Sequence, residues 1–122
     1  MSTPVRLPKR FEIKQGDTAP ALETILYGGD DGPLDLTNAD DVAIRMALCE
    51  YPFTVKLNLV SVTFAPDTSG AVSYQWQAGD TDDVGVYDLE WVATFPGAQS
   101  MTVPSSGFDT VVVTRHAGSG SV

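Results

Sequence analysis

Cysteine and histidine are almost missing from this sequence, which contains one of each, Cys49 and His116. A single cysteine cannot form a disulfide within the chain, and it offers neither a zinc-binding pair nor a redox motif. A single histidine leaves no material for a multi-histidine metal site or a histidine-based triad within one chain. We therefore predict no catalytic residues, no bound metal and no cofactor, and we expect a protein that is not an enzyme.

Positive charge is also scarce, because seven lysines and arginines stand against sixteen aspartates and glutamates, a formal charge of -9. Nucleic-acid binding needs clustered cations that displace counterions, so we expect no DNA or RNA partner. Residues 1–14 hold four cations and one acid, Glu12, a net +3, while the remainder holds three cations and fifteen acids, a net -12. We predict that residues 1–10 form a basic arm in front of an acidic body.

Long apolar runs are missing as well. The segment Met1–Arg10 has no apolar stretch of the kind found in signal peptides, and no run of about eighteen apolar residues occurs anywhere in the chain. We expect a soluble protein that has no membrane partner and is not exported by a signal peptide.

The pattern that is present is a two-residue alternation of apolar and polar side chains, which is typical of strands with one buried face. The clearest alternating segments are Val42–Leu48, Val72–Trp76 and Tyr87–Phe95, and weaker ones are Phe11–Lys14, Leu22–Tyr27 and Phe108–Thr114. Clusters of Gly, Pro, Asp and Asn separate them, as in a sandwich or barrel of short strands. We predict a folded domain over residues 11–115 and a flexible tail over residues 116–122, rich in Gly and Ser.

Two segments allow more than one interpretation. Phe53, Val55, Leu57 and Leu59 share one parity, and the apolar residues from Val60 onward share the other, which predicts a bulge or tight turn near Leu59. Residues 40–50 also have apolar spacing that fits a helix. We prefer a strand there, because alternation accounts for all four large apolar side chains.

The segment Asp83-Val-Gly85-Val-Tyr87 precedes the best alternating strand. It resembles the Asp-x-Gly-x-Tyr element of immunoglobulin-like domains, in which the tyrosine hydroxyl bonds back to upstream backbone and forms a tyrosine corner. The plain alternative is that Tyr87 is a half-buried strand aromatic and Gly85 an ordinary turn glycine. The resemblance implies an all-β, immunoglobulin-like antiparallel β-sandwich of about seven strands.

A wider resemblance spans about residues 11–113. The segments that carry it are Ile13-Lys-Gln-Gly-Asp-Thr18, Pro33-Leu-Asp-Leu-Thr37, Asp83-Val-Gly-Val-Tyr87 and Val103-Pro-Ser-Ser-Gly-Phe108. Together they resemble the N-terminal domain of phage baseplate upper proteins, and related modules occur in phage minor tail proteins. The resemblance implies an immunoglobulin-like module in the virion, a structural role without catalytic residues, and other phage proteins and further copies of the chain as partners. The stalk and receptor-binding head of those long proteins have no counterpart here, so direct host recognition is not expected.

Several alternatives remain open at this point. A capsid decoration protein or a head-to-tail connector would fit the same module, and Trp76 or Trp91 would serve a glycan-binding adhesin if either ring were exposed. We expect both tryptophans in the core, Cys49 as an inert thiol, and the clusters Asp30-Asp31 and Asp80–Asp83 as solvated turns rather than calcium sites.

The basic arm is the segment for which we predict an assembly role. Arg6, Lys9 and Arg10 hold three of the four cations of this stretch, and an extended arm reaches far enough to cross onto a neighbouring subunit. We expect these three residues at a contact between chains, where they would meet acidic loops. The alternative is that they lie in solvent or fold back on their own domain.

Overall fold

The computed structural model describes residues 9–28, 32–104, 107–115 and 117. This part of the chain is built from strands and contains no helix. The nine strands are β1 (Arg10–Lys14), β2 (Leu22–Ile25), β3 (Asp41–Leu48), β4 (Val55–Ser61), β5 (Thr63–Phe64), β6 (Ala71–Tyr74), β7 (Gly85–Phe95), β8 (Gln99–Val103) and β9 (Asp109–Thr114). The count exceeds the seven expected, because a break separates β5 from β4 and because β8 lies in a segment where no strand was predicted.

The strands form two sheets. The larger has the order β1-β9-β7-β3-β4, with β8 also paired to β7, and the smaller has the order β2-β6-β5. The pair β1–β9 is parallel and the other pairs are antiparallel. The expectation of a purely antiparallel fold is therefore wrong for the first strand, since alternation of side chains carries no information about strand direction.

One hydrophobic core joins the two sheets, as in a β-sandwich. Leu22, Val72 and Tyr74 enter it from the smaller sheet, and the inward faces of β3, β7 and β9 enter it from the larger sheet. Trp91 and Tyr87 are the largest of its fully buried side chains. Burying such rings contributes on the order of 2 to 3 kcal/mol each, which makes β7 a principal source of core stability.

The segment with two interpretations, residues 40–50, is a strand. Val42, Ile44 and Met46 of β3 are fully buried while Arg45 between them is half-buried, as the alternation predicted. All eight residues of β3 pair with β7. The strand interpretation is confirmed, and it places β3 in the centre of the larger sheet.

The predicted irregularity near Leu59 is also confirmed. Ile44 pairs with Val60 and Met46 with Leu57, so β4 holds one more residue than β3 over this interval, which is a β-bulge. Leu59 has a positive φ of 55°. Beyond the bulge the chain leaves β3 and joins β6 as β5 in the other sheet.

Candidate interaction surface

The turn between β3 and β4 presents two aromatic rings to solvent. Its backbone is closed by two hydrogen bonds, from the amide of Phe53 to the carbonyl of Glu50 at 2.7 Å and from the amide of Leu48 to the carbonyl of Thr54 at 2.9 Å. Tyr51 is 87% exposed and Phe53 is 57% exposed. Their rings meet edge to face, with centroids 6.2 Å apart and planes at 84°. The turn therefore displays a paired aromatic surface instead of burying it.

The backbone at Phe53 is held in a conformation that bulky residues rarely adopt. Its φ is 59°, in the left-handed region, where a side chain with a Cβ costs roughly 1 to 2 kcal/mol. Such outliers concentrate at functional sites, because they persist only where the surrounding structure imposes them. With this backbone conformation the ring of Phe53 lies outside the core and beside the ring of Tyr51.

The same apolar character continues along β4, at the edge of the larger sheet. Val55 is 53% exposed, Leu59 47% and Val60 38%. Among the described residues β4 pairs only with β3, so its other side is an open edge. We refer to Tyr51, Phe53, Val55, Leu59 and Val60 as the apolar edge.

Charge is almost absent from this segment. Between Glu50 and Asp67 the sequence has one side chain that is charged at neutral pH, Lys56. Its Nζ donates a hydrogen bond to Asp83 Oδ2 at 2.8 Å, and this bond raises the pKa of the lysine. The lysine is therefore neutralised locally, and the apolar edge carries little net charge on a chain of charge -9.

Asp83, Gly85 and Tyr87 meet at the start of β7. The hydroxyl of Tyr87 donates a hydrogen bond to the backbone carbonyl of Asp83 at 2.7 Å, and its ring is buried. A side chain on Gly85 would bring its Cβ within 3.0 Å of Leu48 Cδ2, so glycine permits the close approach of β3. The carboxylate of Asp83 turns outward to Lys56, a partner that the sequence pattern did not identify.

The three cations of the basic arm are placed differently from one another. The ammonium of Lys9 donates to Thr24 Oγ1 and to the carbonyl of Ile25, which ties this residue to β2 of its own domain. Arg10 is the first residue of β1 and forms an exposed ion pair with Glu12 at 3.1 Å. Arg6 lies outside the described residues. Lys9 and Arg10 thus make separate contacts within their own chain, and a contact between chains at Arg6, Lys9 and Arg10 stays a prediction.

The loop between β6 and β7 uses one carboxylate to brace itself. Asp80 Oδ2 accepts hydrogen bonds from the hydroxyl of Tyr74 and from the amide of Gln77, the latter at 2.8 Å. No cluster of His, Cys, Asp or Glu that would hold a metal ion occurs in the described part of the chain. Asp30 and Asp31 lie outside it.

The two tryptophans are buried, and the single cysteine is half-buried. Trp76 and Trp91 are 4% and 0% exposed, which confirms core packing and removes both from a sugar-stacking surface. Cys49 is half-buried, and its amide donates to the carbonyl of Val86 at 3.0 Å. His116 lies outside the described residues. The described part of the chain contains no helix that is long and apolar enough to cross a membrane.

A shallow depression of about 520 Å³ lies against the smaller sheet. It is lined by Glu23, Thr24, Ile25, Thr63, Phe64, Ala65, Ala71, Val72 and Ser73. The lining offers hydroxyl and apolar groups and one carboxylate, that of Glu23.

Comparison of the chain with protein-family models, with curated proteins and with solved structures finds no match.

Proposed function

We propose that this chain is an immunoglobulin-like module that serves as a non-enzymatic structural component of a bacteriophage particle, at the tail or baseplate. The phage assignment is supported by the resemblance carried by four short segments. One of them, Asp83–Tyr87, contains the hydrogen bond from the hydroxyl of Tyr87 to the carbonyl of Asp83. The mode of action, assembly through protein–protein contacts, is supported by the apolar edge.

The strand arrangement supports the immunoglobulin-like part of the proposal. In such sandwiches the strand that carries the tyrosine corner lies centrally in one sheet, and here β7 lies between β9 and β3 and carries Tyr87 as its third residue. The opposite sheet has three strands. The chain departs from antibody domains in two respects: Leu89 stands where the disulfide cysteine would follow the corner tyrosine, and no tryptophan lies on β3. Packing of Leu89 in the core takes the place of the bridge.

The observation that carries the assembly role is the exposure of Tyr51 and Phe53 on a strained turn. Aromatic side chains are enriched at the centres of protein interfaces, where they contribute much of the binding energy. An isolated domain gains nothing from holding Phe53 in a left-handed conformation outside the core. A particle component gains a preformed contact.

The charged groups near the corner favour a structural role over a catalytic one. Asp80 is bonded to the hydroxyl of Tyr74, Asp83 to Lys56, and Asp109 to the amide of Lys9. The bonds of Asp83 and Asp109 join separate parts of the fold, and that of Asp80 braces the loop between β6 and β7. The carboxylates are thereby used to hold loops and strands in place.

Labelling of intact particles tests the proposal. Antibodies raised against the recombinant chain would be applied to purified particles of the phage that encodes it, and bound label would be located by electron microscopy. We expect label at the tail tip, abolished when the antibody is first saturated with the recombinant chain. Absence of the chain from purified particles, judged by mass spectrometry, would overturn the virion role. Label on the head or neck would instead establish the decoration or connector alternative.

A glycan-binding role is the second candidate, and Tyr51 is the observation that favours it. An exposed aromatic plane can stack on a sugar ring, and Tyr51 is the most exposed of the large apolar side chains. A glycan array probed with the wild-type chain and with Tyr51→Ala tests the glycan-binding role. If Tyr51 stacks on a sugar ring, the wild-type chain binds a glycan and the variant loses that binding. The pairing of Tyr51 with Phe53 and the apolar continuation along β4 favour a protein partner.

A further inference from the structure

We infer that the apolar edge is a self-association interface, at which two copies of this chain meet about a two-fold axis. The inference rests on the proposed function, because it names the partner of the same surface. It goes further in one respect: the particle component is a dimer before it meets any other protein of the particle.

The area of the apolar edge is close to what an interface needs. Given the exposed fractions of the five side chains, ordinary side-chain areas give roughly 600 Å² per copy. Stable interfaces bury about 800 Å² on each partner, so the neighbouring backbone and Thr54 and Asn58 need add only about a quarter. The largest apolar patch on a monomer is about 300 to 600 Å², and the apolar edge therefore stands at the upper end for a free domain.

The lack of acidic side chains makes the apolar edge a surface at which two copies can meet despite their net charge. Two chains of charge -9 repel each other over most of their surfaces, and like charges brought together cost several kcal/mol. Residues 51–66 contain no acid, and the single cation, Lys56, is paired with Asp83. Under a two-fold axis the same surface is used by both copies, so apolar side chains meet apolar side chains and no acidic residue of this segment approaches another.

The bulge at Leu59 determines which kind of contact the edge supports. An unbroken edge strand pairs through its backbone and can extend a sheet without limit, whereas bulges interrupt that pairing. The register between β3 and β4 shifts twice, once between Ile44 and Met46 and again between Met46 and Ala47. We therefore expect a contact made by side chains, and the two-fold axis limits the association to two copies.

Sedimentation and light scattering of the full chain, over a range of protein concentrations, give the direct test. We expect reversible dimerisation, to twice the chain mass of 13.0 kDa, with a dissociation constant below about 100 μM. Because the interface itself carries little charge while two chains of charge -9 repel each other, raised salt should leave the constant unchanged or lower it. A chain that remains monomeric to millimolar concentration would overturn the inference.

Two substitutions locate the interface with little risk to the fold. Phe53→Asn and Leu59→Asn remove apolar side chains at positions of positive φ, where asparagine is better tolerated than phenylalanine or leucine. Each should raise the dissociation constant at least tenfold while the melting temperature stays within a few degrees of wild type. Phe108→Asn is the matched control, because Phe108 is 45% exposed and lies outside the apolar edge. Equal weakening by the control, or no weakening by either variant, would overturn the assignment.

A crosslink gives a readout that does not depend on affinity. Asn58 is exposed in the middle of β4, near the place where a two-fold axis through the edge would pass. In a Cys49→Ser background, Asn58→Cys should form a disulfide-linked dimer under mild oxidation, and Gln99→Cys on β8 should not. If Asn58→Cys fails to link while the particle labelling succeeds, the edge contacts a different protein: the second copy is then wrong and the structural role stands.

Discussion

The hydroxyl of Tyr87 lies 2.7 Å from the backbone carbonyl oxygen of Asp83, to which it donates a hydrogen bond. The ring above it is 1% exposed, so loss of the hydroxyl leaves a carbonyl with reduced access to water. We expect Tyr87→Phe to lower the free energy of unfolding by about 1 to 3 kcal/mol. Urea unfolding followed by tryptophan fluorescence measures this.

Tyr51→Phe is the control for the corner. It removes the same hydroxyl from a ring that is 87% exposed, and surface substitutions of this kind change stability by no more than about 0.5 kcal/mol. Equal midpoints for Tyr87→Phe and Tyr51→Phe would show that the corner bond adds nothing to stability.

We expect the protein to lose stability in alkali because Tyr74 and Tyr87 are buried. Burial, and then the hydrogen bond to Asp80, raises the pKa of Tyr74 well above its ordinary value of 10.0; burial and the charge of Asp83 raise the pKa of Tyr87. The folded state then keeps protons that the unfolded state releases. Their stabilising effect is complete below about pH 10 and is lost as pH rises above it.

The alkaline prediction is checked by unfolding in urea at about pH 9 and about pH 11. We expect a lower free energy of unfolding at the higher pH, and a smaller decrease in Tyr74→Phe, which has lost one of the two groups. Tyrosinate absorbance should show two of the four tyrosines ionising only as the chain unfolds. A decrease of the same size in Tyr74→Phe would exclude Tyr74 as a cause.

A buried carboxyl gives a prediction of the same sign at lower pH. Asp109 Oδ1 accepts a hydrogen bond from the amide of Lys9 at 2.9 Å, but burial outweighs this bond and the lysine charge and raises the pKa of the carboxyl. A raised pKa means that ionised Asp109 disfavours the folded state, and the cost appears as pH rises through the window above its ordinary 3.8.

Asp109→Asn keeps the acceptor oxygen and removes the charge. We expect the variant to match or exceed wild type by up to about 1 kcal/mol at neutral pH, and the difference to shrink as pH falls through that window. Asp109→Ala, which also loses the acceptor, should cost about 1 to 3 kcal/mol. If Asp109→Asn proved as damaging as Asp109→Ala, the negative charge itself would be needed.

The strands that the sequence predicts best are those with one face in the core. In β7 buried side chains alternate with partly exposed ones, and in β3 the large apolar side chains Val42, Ile44 and Met46 are buried at every second position, so the two-residue period is visible in the sequence. In β8 the first three residues, Gln99, Ser100 and Met101, are all exposed, and a strand without a buried face leaves no alternation to detect. The parallel pairing of β1 with β9 joins residues about 100 positions apart, beyond the reach of any local pattern.

The same distinction applies to the candidate site. The Tyr87–Asp83 bond spans four residues, so a short motif is sufficient to predict it. Phe53, Val55 and Leu59 share their parity with buried Leu57 and would be expected in the core, yet they are exposed because β4 is an edge strand with bulges. The sequence signal for this surface is the lack of charge. Residues 51–66 begin with the Tyr-Pro-Phe turn and contain one side chain that is charged at neutral pH.

The last prediction concerns the boundary between the basic arm and the domain. The backbone of Lys9 makes two hydrogen bonds to the edge of β9, donating to Asp109 Oδ1 at 2.9 Å and accepting from the amide of Thr110 at 2.8 Å. Its ammonium bonds to β2 and lies 5.2 Å from the centre of the Tyr27 ring. Lys9 thus contacts both sheets.

Two truncations separate the roles of arm and domain. Deletion of residues 1–8 should leave the melting temperature of the isolated chain unchanged within about two degrees. Deletion of residues 1–10 removes the Lys9 contacts and the first residue of β1, and should cost about 2 to 4 kcal/mol, since each lost hydrogen bond contributes about 1 kcal/mol and those to charged groups more. Lys9→Met, which keeps the backbone bonds and the aliphatic stem, should cost about 1 to 2 kcal/mol.

Incorporation into particles then tests Arg6 without interference from folding. If the arm is an assembly element, the chain lacking residues 1–8 should be folded but incorporated less than wild type, and Arg6→Ala should reproduce part of the defect. Both defects should resemble the effect of raised salt on the wild-type chain, because a contact between the cationic arm and an acidic surface is screened by ions. Arg115→Ala is the matched control, since Arg115 is exposed and lies outside the basic arm. Normal incorporation of the chain lacking residues 1–8 would remove the arm from assembly and leave the apolar edge as its candidate contact.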